Sequence, residues 1–183
     1  GRENGRVVIS VFDGVRWSSF KHPEFARWVE PGAVFESVDG TVWFGAGGKQ
    51  IDGGGGVLQY QVNSDRSVER VKRYAPPVVP YYVTSFQQTE DGGLWLGSTQ
   101  VHRLDGSGIA SPVGFLPGDN SVGLALDESQ QLWVAKGNAG ICTWNGTEWT
   151  VFNEQHGIAS RRLVSLLRLS DGSLLTASDD GIS

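Results

Sequence analysis

The chain has 183 residues, and its 15 Lys and Arg against 20 Asp and Glu give a formal charge of −5. That balance argues against nucleic acid or an anionic membrane as a main partner, since both demand concentrated cationic side chains. Twenty-six glycines, seven tryptophans, no methionine and 39% hydrophobic residues exclude a disordered chain and point to a turn-rich, all-β globular one.

The stretch Val8–Phe20 alternates apolar and polar residues around Asp13-Gly14, the pattern of two strands joined by a hairpin. Val34–Val38 reads as the next strand, followed by Asp39-Gly40 and then Val42-Trp43-Phe44-Gly45. The same order returns in Val83–Gln87 with Asp91-Gly92 and Leu94-Trp95-Leu96-Gly97. It returns again in Val122–Leu126 with Ser129-Gln130 and Leu132-Trp133-Val134-Ala135. A fourth copy runs from Leu163–Leu169 through Asp171-Gly172 to Leu174-Leu175-Thr176-Ala177. Glycine after aspartate tolerates the positive φ of a tight hairpin, and the large aromatic that follows fills the wedge between neighbouring sheets. The third and fourth strands of a unit are clearest in Ile141–Trp144, the Asn145-Gly146 turn and Thr147–Phe152. A period of roughly 40 residues built from short strands is the signature of propeller blades. The Gly53–Gly56 run lengthens the first full unit.

The combination Asp-Gly-x-Leu/Val-Trp-x-Gly, Trp144-Asn145-Gly146-x-x-Trp149-x-x-Phe152 and His156-Gly157-Ile158-Ala159-Ser160 resembles the two-component regulator propeller repeat. Members of that family are periplasmic sensor regions of bacterial signalling proteins, often hybrid histidine kinases. The resemblance covers nearly the whole chain, most specifically Asp91–Gly97 and Gly140–Ala177. It departs from the repeat at Ser129-Gln130 and at Leu175. It implies an all-β propeller of about four blades' worth of four-stranded antiparallel sheets, periplasmic or extracellular.

In this reading residues 7–20 are an outer half-blade, 33–75, 82–115 and 122–152 are full blades, and 163–183 is an inner half-blade. The complementary halves allow a ring closed within one chain or a homo-oligomer built through open blade edges. Gly1 in place of Met, and the stop at Gly181-Ile182-Ser183 where a third strand should begin, read as an excised piece of a longer parent.

Motifs for chemistry are sparse. Cys142 stands alone, so no internal disulfide or thiolate zinc site is expected, and its strand setting makes it a buried small hydrophobe. No run of about 18 apolar residues is present, so no membrane span is expected. Gly45–Gln50 fails as a phosphate loop, because Trp43 stands where the first glycine belongs and Gln50 where Ser or Thr would meet magnesium. His22, His102 and His156 are scattered, so no metal site and no cofactor are expected. Asp39, Asp91 and Asp171 are turn formers, and Trp43, Trp95 and Trp133 are core residues at one repeat position.

The candidate site comes from topology. Loops entering the innermost strand of a blade and loops leaving the second strand share one face around the axis. They carry Arg27, Trp28, Tyr81, Tyr82, Asn120, Arg161 and Arg162 on the inbound side. Lys49, Lys136, Asn138 and Asp179 lie on the outbound side, with Gln50, Gln100 and Asp180. Aromatic platforms and guanidinium forks suit a small polar or anionic ligand such as an acidic saccharide. Ordinary solvated loops are the plain alternative. The function expected is a non-catalytic, ligand-sensing propeller region. The other two classes are a propeller enzyme of the streptogramin-lyase type, with His102 nearest to the required position, and a scaffold for a protein partner.

Overall fold

The structure is a computed structural model that describes residues 2–3, 6–47, 54–64, 67–108 and 110–182. The chain divides into two compact units, Gly1–Val83 and Thr84–Ser183. Apart from one 3-10 turn at Glu154–His156, the regular structure among the described residues is antiparallel strand.

The first unit holds two sheets. β1 (Arg2–Glu3), β2 (Arg6–Phe12) and β3 (Trp17–His22) form a three-stranded meander, one short strand more than the alternation around Asp13-Gly14 indicates. β4 (Trp28–Glu36), β5 (Thr41–Gly47), β6 (Val57–Val62) and β7 (Val68–Tyr74) form a four-stranded one. Val7 and Ile9 of β2 pack with Phe25, Ala46, Leu58 and Tyr60 in the unit's core. The Tyr60 hydroxyl is hydrogen-bonded to the His22 ring, which satisfies two polar groups that the core otherwise buries at a penalty.

β4 begins at Trp28, six residues before the expected Val34. Trp28 and Val29 pair with Gly47 and Ala46, and the ladder then shifts register before Val34 pairs with Phe44. Pro31 and Gly32 lie in that interruption. Proline has no N–H for the ladder, so the pairing breaks and resumes.

The second unit holds three sheets. β8 (Ser85–Gln88), β9 (Leu94–Gly97), β10 (Val101–Leu104) and β11 (Ala110–Pro112) form the first. β12 (Ser121–Leu126), β13 (Leu132–Lys136), β14 (Gly140–Trp144) and β15 (Trp149–Phe152) form the second. β16 (Leu163–Arg168), β17 (Leu174–Ser178) and β18 (Gly181–Ile182) form the third. Each face of the middle sheet has its own apolar layer. Trp95, Val101, Leu116, Leu124, Val134 and Cys142 fill the seam toward β8–β11. Ala125, Ala135, Ile141, Leu163 and Leu166 fill the seam toward β16–β18. Burial holds the Cys142 thiol up at about 11 despite the neighbouring Lys136.

One turn geometry recurs in the four repeats. Gly40 N–H donates to the Ser37 carbonyl and Ser37 N–H to the Thr41 carbonyl, and the same pair of bonds recurs at Thr89, Asp127 and Leu169. This is a type I turn closed by one left-handed residue. Only the glycine takes positive φ: 79° at Gly40, 83° at Gly92 and 88° at Gly172. The aspartates instead use Oδ1 to accept the N–H of Thr41, Gly93 and Ser173 at 3.0, 3.1 and 2.9 Å. In the third repeat Gln130 takes the same position at φ 61°. An L residue is penalised in that region by about 1 kcal/mol. Gln130→Gly should therefore raise stability by about 1 kcal/mol, read as a shift in the denaturant midpoint at unchanged m-value.

The departure at Leu175 has a partner. Trp43 Nε1–H donates to Ser37 Oγ at 2.6 Å, and Trp133 Nε1–H to Asp127 Oδ2 at 2.9 Å, each six residues back. At the corresponding place before Leu175 stands Leu169. Donor and acceptor are both replaced by apolar groups, a change that leaves no unpaired polar atom. Asp127 also accepts the N–H groups of Ser129 and Gln131. Burial pushes its carboxyl up, but these bonds and the indole outweigh that and hold it below the usual carboxylate range.

Candidate functional site

In the first unit the inbound and outbound segments meet at the end of β5. Trp28 stands opposite Gly47 in the ladder, and its Nε1–H donates to Glu30 Oε1 at 2.9 Å. Its ring lies where a Cβ on Gly47 would be, so Trp28 is a half-buried strand residue, not the loop residue its position suggests. The reason is local: without a side chain at 47, the indole closes onto the backbone of the paired strand. Ala46 carbonyl accepts Val83 N–H at 3.0 Å, and Tyr81 carbonyl accepts Gly56 N–H at 2.9 Å. These bonds bring Tyr81 and Tyr82 to the same end of β5 as Trp28. Tyr81 is exposed and Tyr82 half-buried, while Arg27 is exposed just before β4. Lys49 and Gln50 lie outside the described residues.

The second unit assembles the other candidates at one end of three successive sheets. Ser121 N–H donates to Ser98 carbonyl at 2.8 Å, and Gly137 N–H to Asn120 carbonyl at 3.1 Å. Gly140 N–H donates to Arg161 carbonyl at 3.1 Å. The loops are thereby tied to one another, and Asn120, Asn138, Arg161, Arg162 and Asp179 are exposed along them.

Several polar groups of this rim are paired within the chain. Asn138 Nδ2–H donates to Asp119 Oδ2. The Arg162 guanidinium stands 3.5 Å from Asp180 Oδ2, both more than half exposed. Arg161 N–H donates to Glu154 Oε1 at 2.9 Å. This bond and one from the backbone N–H of Glu154 itself hold that carboxyl below its usual range. Gln100 has a structural role, accepting Leu116 N–H at 2.8 Å and donating to Leu116 carbonyl at 3.0 Å.

Lys136 differs from the other described candidates. It is fully buried, and its ammonium donates to the Thr99 carbonyl at 2.7 Å. Burial pulls its pKa from 10.5 down to about 8, against the opposing influence of Cys142 and Asp119. A buried lysine with a lowered pKa is a functional-site signal with a physical basis. Ser121, opposite it in the β12–β13 ladder, and Ser85 are also buried and carry no motif. The signal that could have found them is register, since both stand at the first position of an inner strand.

His102 is half-buried, with Nδ1 3.3 Å from the Gln100 carbonyl oxygen. Burial lowers its pKa, with the Gln100 carbonyl acting the other way. Among the described residues no three His, Cys, Asp or Glu side chains gather closely enough to hold a metal ion.

In the second unit the first strands are neighbours, β8 against β12 and β12 against β16, so successive meanders share an inner edge. Solved structures with this arrangement match the chain at low identity. The extracellular domain of a hybrid two-component system from B. thetaiotaomicron has a TM-score of 0.64 at 16% identity, covering 100% of this chain and 25% of that one. PorZ, a surface component of the type-IX secretion system of Porphyromonas gingivalis, has a TM-score of 0.69 at 17% identity, covering 96% and 28%. These sheets are propeller blades. The same blades match a catalytically inactive virginiamycin B lyase from Staphylococcus aureus with a TM-score of 0.60 at 16% identity, covering 85% of this chain and 55% of the lyase. The chain thus spans about a quarter of the sensor domain and of PorZ, and about half of the lyase. No protein family and no curated protein matches its sequence.

Proposed function

We propose that these blades are a ligand-recognising part of a bacterial sensor, extracellular or periplasmic, that works without chemistry of its own. The observation that carries this reading is the chain of loop-to-loop hydrogen bonds at one end of the second unit. It gathers residues 98–100, 119–121, 136–140 and 160–162 onto a common rim. The similarity to extracellular domains of hybrid two-component systems supports the sensor role and the location.

The ligand class that suits the rim is a small polar or anionic molecule such as an acidic saccharide. Arg161 and Arg162 supply guanidinium donors, and Asn120 and Asn138 supply amides. The Arg162–Asp180 pair is exposed, and such pairs contribute about 0–1 kcal/mol. A ligand carboxylate can therefore replace Asp180 at little energetic disadvantage, and a planar guanidinium holds it through two parallel bonds. In the first unit, Arg27, Trp28, Tyr81 and Tyr82 form a separate group of stacking and cationic side chains suited to the same class.

Isothermal titration of the chain with an oligogalacturonate should show binding that Arg162→Ala weakens about tenfold or more, the loss of one charge-assisted contact. Arg103→Ala is the control, because Arg103 is paired with Asp91 at the β8–β9 turn. Absence of binding, or equal losses in the two variants, would remove this assignment of the rim.

The likeness to a lyase supports a second reading, enzymatic, with His102 as its nearest candidate. Incubation with a streptogramin B substrate followed by mass spectrometry separates the two. The sensor reading expects unchanged substrate, and turnover lost in His102→Ala would establish the enzyme.

A further inference from the structure

The seam between β8–β11 and β12–β15 is apolar along most of its length, but its inner end gathers hydrogen-bond donors. Lys136 and Ser121 stand opposite each other in the β12–β13 ladder, and Ser85 stands opposite Gly97 in the β8–β9 ladder. A Cβ built on Gly97 would overlap Ser85 Oγ and approach Ser121 Cβ at 3.1 Å. The two serines therefore converge from neighbouring blades on one glycine.

Each group is buried: Lys136 and Ser121 are 0% exposed and Ser85 is 6% exposed. Neither hydroxyl has a hydrogen-bond partner among the described residues. The ammonium gives one bond to the Thr99 carbonyl and retains two further N–H donors. Among the described residues no ion pair involves Lys136; Asp119 influences it electrostatically and bonds instead to Asn138.

A buried cation without an ion-pair partner, opposite the buried Ser121 in the ladder and in one seam with Ser85, is an unbalanced arrangement. Isolated charges and unpaired hydroxyls are both strongly disfavoured in a dry interior. The donors lack an acceptor of opposite charge. We propose that this end of the seam binds a small monovalent anion of halide size, held by Lys136, Ser121 and Ser85. The anion would neutralise the ammonium, satisfy both hydroxyls and join two blades through their inner strands. The saccharide reading rests instead on the exposed side chains of the rim, Arg161 and Arg162 among them.

The test is thermal unfolding of the 183-residue chain at pH 6.5 and constant ionic strength, exchanging sodium gluconate for sodium chloride or bromide. Binding to the folded state alone raises the midpoint with halide concentration. A rise of about 5–10 °C by 100 mM halide is expected for a chain of this size and an affinity of about 1 mM. Lys136→Met should abolish the dependence. Ser121→Ala keeps the charge and removes one donor, and it should raise the halide concentration needed for half the shift several-fold. Bromide-soaked crystals should show an anomalous peak beside Lys136. A midpoint insensitive to halide in the unsubstituted chain, or an equal shift in all three proteins, would overturn the proposal.

Discussion

Gly140→Ala should lower stability by at least about 3 kcal/mol, a fall of roughly 10 °C in the midpoint for a chain of this length. Gly140 opens β14 at φ 92°, a conformation that penalises an L residue by about 1–2 kcal/mol. The second contribution is steric. A Cβ there would overlap the Phe152 carbonyl oxygen, and backbone cannot yield as a side chain can. Gly146 isolates the first contribution: its φ is 99°, but nothing lies within 4 Å of a Cβ built on it. Gly146→Ala should lose only about 1 kcal/mol. If parallel denaturant titrations found the two losses equal, the contact with Phe152 would have no energetic weight. Gly140 also pairs with Lys136 and donates to Arg161, so its substitution should weaken rim binding as well as the fold.

Lys136→Met should raise stability by about 2 kcal/mol at pH 7 in halide-free buffer. A pKa lowered from 10.5 to about 8 amounts to about 3 kcal/mol against the charged form. Loss of the bond to Thr99 returns about 1 kcal/mol of that. The pH dependence has a definite sign. Below about pH 8 the lysine is charged in both states and the penalty is fully present. Between about 8 and 10.5 the unfolded chain binds the extra proton, so stability rises with pH. Cys142 acts in the opposite direction, its thiol ionising from 9.0 upward in the unfolded chain but only near 11 when folded. The clear rise is therefore confined to pH 8–9, and it should be missing in Lys136→Met. A flat profile in the unsubstituted chain would mean that Lys136 is solvated and titrates normally.

A lysine that lowers stability where methionine would fit suggests a role other than packing. Natural proteins are rarely at their stability optimum, and added stability can cost function where activity needs a destabilised site. Both the rim and the seam depend on the place where β13 ends. Lys136 is the last residue of that strand, and the loop after it carries Asn138. The same two-residue step separates a side chain facing the seam from one facing solvent.

Much of the fold was legible in the sequence because the repeat is written in local chemistry. Asp39-Gly40, Asp91-Gly92 and Asp171-Gly172 mark the turns, and Trp43, Trp95 and Trp133 mark the strands that follow. Each depends only on backbone φ or on one side chain filling a wedge, so a short window is enough to recognise it. Even Gln130 was findable, since the spacing to Trp133 holds although the glycine is gone. The strand start at Trp28 was not, because Pro31 and Gly32 conceal a ladder that continues on the other side of a register shift.

The candidate site was legible only as a list of loops. Nothing local says that Arg162 pairs with Asp180, that Asn138 pairs with Asp119, or that Trp28 rests on Gly47, for each contact joins residues distant in sequence. Nor could sequence show that Lys136 is buried, since an exposed lysine at a strand end has the same neighbours along the chain. Turn and strand preferences acting over a few residues dictate a series of short hairpins with a repeating aromatic. Tertiary structure alone decided which polar groups are left with solvent and which are drawn into a dry seam. That outcome depends on how neighbouring sheets pack, and packing brings Ser85, Ser121, Thr99 and Lys136 together from separate strands and loops.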